Sequence, residues 1–503
     1  MYQPRSWSPE RAGSAFSRRG FLGAAAAIGA AAGLSACTGG GQSSEQAGGA
    51  AGGATGSIAW WDQYRPLTKL FEDDIFAGYM KDHQGVKITR REMEGPDLGQ
   101  ALQLAKRSNQ LPDVTSTAGL DAAAAALVDE QWFQPIGDLV DVEGSPVGDY
   151  LYDGVHRFDG KLYSFPVFTG RVHACIPWSN TAQLKKAGVD PDESPATWDD
   201  FRAVARTCTK KTADDVYGVL LPGKDPTYFD SVVGALAQTA GAPGGIDWST
   251  GNYVYDSQQY GDAIEYLLSL QADKVVHPSS PSMGPRDARA RWAAGQGVIY
   301  PWGSWIIGGL MVEEPQSIER GIGVWHIPTQ ETTRHFIHGS PSGGTFWVTS
   351  SSKHAKLAAD VMLQLSSVDV QKKLAATMDA PPVLLDLVSE SEAHPTYKKS
   401  VEYLQSDVRI GPDPTVGTPG VAEVLATMRD IHPNVGEITQ AAMTGSERNY
   451  RAKLRTFNQK MTAERERAIK QVQKSGTDVS EDAWAFGNWD PTRDYTPDSY
   501  QSK

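Results

Sequence analysis

The chain has 503 residues, 40% hydrophobic and 21% charged, a globular balance with room for several domains. Its formal charge is −13; residues 1–36 carry four arginines against one glutamate, net +3, so the remainder is near −16. That acidity excludes a nucleic-acid footprint, which needs clustered Lys and Arg, and excludes broad adhesion to anionic lipid.

The N-terminus reads as an address. Ser17-Arg18-Arg19-Gly20-Phe21-Leu22 matches the twin-arginine export pattern, and the Gly/Ala-rich run 21–34 is too short for a stable membrane span. Leu34-Ser35-Ala36-Cys37 has the form of a lipobox: small residues fit a peptidase cleft, and the thiol accepts a diacylglyceryl group. Residues 1–36 are therefore expected to be removed. Cys37 is expected to carry lipid, anchoring the protein to the outer face of the cell membrane. The Gly/Ser-rich stretch 38–56 is a flexible tether reaching roughly 24 Å. Cys175 and Cys208 remain, either paired or as two buried thiols. No spacing of His, Cys or acids suits a metal, and no loop suits a cofactor.

After the tether, Ser57–Asp62 reads as a strand ending in Trp60, Trp61 and Asp62. A helix over 67–83, a strand at 85–88, a helix over 97–108 and a strand from 111 continue a βαβαβ alternation, which predicts a parallel sheet. Ligands bind beyond the carboxyl ends of such strands, here Trp60, Trp61, Asp62, Ser116 and Thr117. An Ala-rich helix over 120–131 follows. Asp159-Gly160 predicts a hairpin turn feeding a strand through Val172, Ala174 and Ile176.

Several fragments then resemble one family. Gln110-Leu111-Pro112-Asp113-Val114 is similar to G-x-x-P-D-V, and Asp159–Pro166 to G-K-x-Y-G-L-P. Leu184–Val189 and Pro195–Phe201 are similar to L-F-K-K-A-G and P-x-T-W-D-E-L. Their order and spacing, over about 57–470, resemble the extracellular solute-binding proteins of ABC importers, of the carbohydrate-binding, maltose-binding-protein-like kind. The residues agree locally: Thr197 suits an N-cap with Asp199 and Asp200 in the first turn, which makes Trp198 a packing residue.

Further along, a strand at 217–220, helices over 226–240 and 257–272 (the latter capped by Asp256), a helix over 288–294 and a strand at 297–305 are expected. A strand at 322–328, the Gly-rich run 338–348 and helices over 353–366, 421–432 and 446–475 complete the pattern. The resemblance implies an α/β, two-lobe periplasmic-binding-protein-like fold. It assigns 57–166 plus 328–368 to lobe 1, 167–327 plus 369–475 to lobe 2, and leaves 476–503 as an extension.

It also implies a ligand between the lobes. Aromatic faces pack on the C–H face of a sugar ring while rim side chains bond its hydroxyls. The candidates are Trp60, Trp61, Phe168, Tyr228, Trp302 and Trp305 for stacking, with Asp62, Arg65, Ser116, Thr117 and Arg171 for polar contacts. Each tryptophan could instead plug its lobe, and Arg171 could serve a structural bond. Gly343 and Gly344 offer either backbone N–H groups or a turn needing positive φ.

The function implied is non-catalytic: a monomer that passes a sugar to membrane permease subunits. A polyamine or peptide binder is the alternative. A carbohydrate-active enzyme would need paired carboxylates, and only Asp62 with Asp113 offers a pair, the latter better suited to the turn at Pro112.

Overall fold

The computed structural model describes residues 55–120 and 122–502. The twin-arginine run, Cys37 and the tether up to residue 54 lie outside the described residues. Strands β1 (Gly56–Asp62), β2 (Val86–Glu92) and β3 (Val114–Thr115) open the chain, and β4 (Arg157–Phe158) and β5 (Lys161–Leu162) form the hairpin. Asp159 and Gly160 both have positive φ, as an Asp-Gly hairpin turn requires. Next come β6 (Ile176–Asn180), β7 (Tyr217–Val219), β8 (Ile246–Asp247), β9 (Asn252–Tyr253), β10 (Gly297–Trp302) and β11 (Ile322–Val324). The last are β12 (Ile337–Gly339), β13 (Trp347–Val348) and β14 (Val408–Ile410).

Two four-stranded sheets organise two lobes, ordered β13-β3-β1-β2 and β11-β6-β10-β7. In the first, β1 lies parallel to β2 and β3, with β13 antiparallel at the edge. In the second, β10 runs parallel to β7 and antiparallel to β6. Helices cover the sheets, each sheet with its own core, which is the two-lobe α/β architecture. Lobe 1 packs Ile58, Trp60, Phe71, Phe76 and Phe346. Lobe 2 packs Trp178, Tyr228, Tyr300, Trp302 and Trp325.

Local chemistry explains many of the elements. Thr197 and Asp200 form a full capping box at the helix Trp198–Lys211, and Trp198 packs flat on Tyr266. The Asp225 carboxylate accepts from the Thr227 N–H at the start of Pro226–Thr239. At Gln258–Ala272, Ser257 rather than Asp256 holds the cap position. The strand expected through Val172 and Ala174 begins only at Ile176, because the preceding residues cross between lobes.

Three segments make that crossing, side by side. The Thr345 N–H donates to Phe165 O, the Val167 N–H to Thr345 Oγ1, and the Gly170 N–H to Ser342 Oγ. On the other side, Thr169 N–H donates to Pro381 O and Val383 N–H to Val167 O. These bonds shift the lobe boundaries. Residues 328–339 pack with lobe 2, since Thr329 bridges Thr197 and Ile337 joins the lobe 2 core. The helix Val368–Thr377 gives Val370 and Leu374 to lobe 1 but Ala375 to lobe 2, so the third crossing follows it.

The C-terminal extension is part of the fold. Val479, Trp484, Phe486 and Tyr495 are buried in the lobe 2 core. Phe486 N–H donates to Trp248 O, and Tyr495 N–H to Ile410 O. Cys175 and Cys208 are both buried free thiols, and burial pushes Cys175 up to about 12. No helix among the described residues is long and apolar enough to cross a membrane.

Candidate functional site at the junction of the lobes

Alternation along β1 sends Ile58, Trp60 and Asp62 to one face and Trp61 to the other. Trp60 is fully buried, its ring 4.7 Å from Phe346 and 5.1 Å from Phe76. It is a core residue of lobe 1, which corrects its assignment as a ligand-stacking face. Trp302 and Tyr228 are corrected in the same way. Trp302 stacks between Tyr300 and Tyr228 at 5.4 and 5.8 Å, and the Tyr228 hydroxyl donates to Pro301 O. β10 is buried along its whole length, so its last side chain turns into the lobe rather than toward the cleft.

Asp62 is also spoken for. Its oxygens accept from Arg90 Nε at 2.7 Å and Nη2 at 2.6 Å, and both side chains are fully buried. Arg90 Nη2 further donates to Tyr64 O, and Nη1 to Thr68 Oγ1. The Tyr64 N–H donates to Asp62 Oδ1. The pair therefore pins the turn after β1 and fixes where Tyr64 stands. Asp113 is likewise structural, accepting from Ala59 N–H and Ser352 Oγ.

Arg171 leaves the cleft for the C-terminal extension, donating to Val408 O and pairing with Asp494. Gly343 is exposed with open space where a Cβ would stand, and a Cβ on Gly344 would lie 2.6 Å from Ser164 Oγ. Neither has the positive φ that a tight turn would need, because this run crosses between the lobes instead of reversing.

The remaining candidates lie at strand ends, in turns or on a crossing segment. Trp61 is half-buried with the Arg91 guanidinium 5.2 Å from its ring. Ser116 Oγ donates to Gln63 Oε1 at 2.5 Å, and Thr117 O accepts from the Leu120 N–H in the next turn. Arg65 reaches Glu92 at 3.3 Å. Phe168 lies on the first crossing segment and bridges Pro382 on the third. Trp305 opens the helix Ile306–Glu313, which packs against the turn Arg65–Leu67 of lobe 1. Gly303 has no room for a Cβ because the Trp305 ring lies 2.2 Å from where it would be.

Two residues at this junction are absent from the sequence reading. Tyr64 meets Phe168 at 5.0 Å and Phe346 at 5.7 Å. Burial raises its phenol above the usual range, Asp62 adds to this, and Asp379 contributes from the third crossing. Burial pushes the Asp379 carboxyl up to about 6, against one Ala380 N–H that favours the charged form. Its neighbour Met378 accepts from the Gly308 N–H, which places Asp379 beside the start of the Trp305 helix. The ion pair Arg286–Glu94, 3.8 Å, also joins the two lobes. Tyr64 stood in plain view between two chosen residues, Asp62 and Arg65. Asp379 gave no local signal.

The chain matches the sequence pattern of bacterial extracellular solute-binding proteins over residues 74–405, about two thirds of its length. The protein belongs to that family. Its place of work is therefore outside the cytoplasm. Among solved structures, this solute-binding protein is similar to the GacH receptor of Streptomyces glaucescens, solved unliganded and with acarbose. The TM-score is 0.60 at 18% identity, covering 84% of this chain and 99% of that one. It is also similar to a cyclic α-maltosyl-1,6-maltose binding protein from Arthrobacter globiformis, with TM-score 0.58 at 19% identity over 84% and 100% of the two chains. The sugar-binding protein MalE of Xanthomonas citri gives TM-score 0.58 at 17% identity over 84% and 100%. Likeness at these identities establishes the shared fold. No curated protein matches the sequence significantly. No group of His, Cys, Asp and Glu among the described residues could hold a metal ion.

Proposed function

We propose that this solute-binding protein captures a sugar or oligosaccharide between its lobes and delivers it to the permease of an ABC importer, without turning it over. The observation that carries the reading is the contact of Tyr64, from the turn after β1, with Phe168 on the first crossing segment, where the lobe 2 helix that Trp305 opens packs against Arg65–Leu67. Tyr64 from lobe 1 and Phe168 from the hinge can pack on one sugar ring, with Trp305 as a stacking candidate on the lobe 2 side. Such a ligand favours closure by touching both lobes. Gln63, Ser116, Thr117 and Arg65 supply hydroxyl partners at the rim, and Trp61 is a further stacking candidate on the lobe 1 side. The sugar ligands named for the similar structures support the same class.

In this reading the domain works as a monomer held by lipid on Cys37. A thermal-shift screen over mono- and oligosaccharides tests the ligand class. A ligand at a hundred times its Kd adds about 2.7 kcal/mol of stability. Silence toward every saccharide with a clear response to another solute class would overturn the carbohydrate reading. Cys37→Ser should release the protein from the membrane fraction, and its retention there would overturn the lipid anchor.

A further inference from the structure

The C-terminal extension touches three parts of the molecule. Val479, Trp484, Phe486 and Tyr495 root it in the lobe 2 core. It then runs beside segment 408–413 of the same lobe. The Tyr495 N–H donates to Ile410 O, the Ile410 N–H to Asp494 Oδ1, and the Asp413 N–H to the Tyr500 hydroxyl. Asp494 also pairs with Arg171 on the first crossing segment. The short helix Pro497–Tyr500 carries the chain to lobe 1, where Tyr500 meets Tyr152 edge-on with ring centres 6.2 Å apart.

Each ring of that contact is held by its own side. Tyr500 is buttressed edge-on by Tyr495 at 4.7 Å and by Phe486 at 6.0 Å. The Tyr152 N–H donates to His156 Nδ1 and its carbonyl accepts from the His156 N–H, which fixes the turn on lobe 1. Two residues on, Gly154 lies so close to the 411–418 loop of lobe 2 that a Cβ would stand 2.3 Å from Thr415 O. The lobes also meet at Arg286–Glu94 and where the helix Ala124–Asp129 packs on Pro419–Thr427. The Tyr500–Tyr152 contact therefore belongs to an arrangement in which the lobes touch. Swinging lobe 1 away parts the two rings and leaves Trp484 and Phe486 buried in lobe 2.

We propose that the extension is a strap that biases the lobes toward this closed arrangement, with Tyr500 as its latch on Tyr152. This rests on the solute-capture reading above and adds a control to it. A strap raises the closed fraction before a solute arrives and slows opening afterwards. An edge-to-face ring pair shifts such an equilibrium about three- to tenfold.

The test needs no ligand. Spin labels on Lys87→Cys of lobe 1 and Lys210→Cys of lobe 2, both exposed positions, report the distance between lobes by pulsed dipolar spectroscopy. Cys37→Ser leaves only the buried Cys175 and Cys208 as native thiols, so the labels stay specific. Tyr500→Ala and Tyr152→Ala should each raise the ratio of open to closed distances about three- to tenfold, and the double variant should go no further than either alone. Removing 497–503, which keeps Trp484, Phe486 and Tyr495, should have the same effect. Distances unchanged by that removal, or single-variant effects that simply add, overturn the strap. If Tyr152→Ala does not fold, the shortened chain decides alone. Because no solute is present, failure here leaves the capture reading standing. A chain that fails the saccharide screen and keeps this response loses the saccharide reading alone.

Discussion

Asp62 and Arg90 meet across neighbouring strands in a two-pronged ion pair with neither side chain exposed. The pair ends β1 and holds the turn that presents Tyr64, so one buried contact sets both the edge of a core and the position of a candidate ligand face. Removing one partner leaves the other charge buried without compensation. Asp62→Asn should destabilise the protein by about 3–5 kcal/mol, read as a lower urea midpoint. An unchanged midpoint would mean that the pair is solvated in solution.

The tryptophans divide by role. Trp60 and Trp302 fill cores, and truncating either to Ala should cost about 3–5 kcal/mol by chemical denaturation. Trp305 is half-buried at the junction, so Trp305→Ala should cost less stability than either and abolish the saccharide response. A Trp305→Ala protein that binds sugar normally would remove this residue from the proposed site.

The C-terminal extension should be needed for a stable fold. Trp484 and Phe486 are fully buried, and burying one such side chain is worth about 1.5–3 kcal/mol. The extension also ties the lobes together. The Tyr500 ring meets Tyr152 of lobe 1 edge-on at 6.2 Å, and its hydroxyl accepts from the Asp413 N–H. Deleting 476–503 should lower the Tm markedly. Tyr500→Ala should lower it less while broadening small-angle scattering, because only the tie is lost. A truncated protein with unchanged Tm would show that the extension packs without contributing.

Stability should fall in acid through His156. Burial pushes this imidazole from 6.5 down to about 3, Arg157 adds to the shift, and the backbone of Ser342 opposes it. The folded value lies below the unfolded one, so the contribution is present in full above about 6.5. It is lost as pH drops from there toward about 3. Each unit of the shift is worth about 1.4 kcal/mol. Urea denaturation at a series of pH values should show this limb, and His156→Gln should flatten it. An equally steep limb in the variant would assign the loss to other groups.

The sequence by itself determined the class of fold and much of its local detail. The βαβ alternation, the Asp159-Gly160 turn and the Thr197 cap are written in neighbouring residues, because periodicity, positive φ and capping are short-range properties. Tertiary structure decided which side chains reach the cleft. Trp60 and Trp61 are adjacent and chemically identical, yet strand alternation sends one into a core and leaves the other half-buried. Asp62 looked available until Arg90, 28 residues on, was brought beside it by strand pairing. Arg171 was expected to reach into the cleft, but the extension supplies Asp494 on the far side. Asp379 had no motif at all. Its place depends on three distant segments crossing together, and long-range chain contacts of that kind leave no trace in local sequence. The family resemblance implied a hinge between two lobes. Which residues of each lobe face one another across it was settled only by packing.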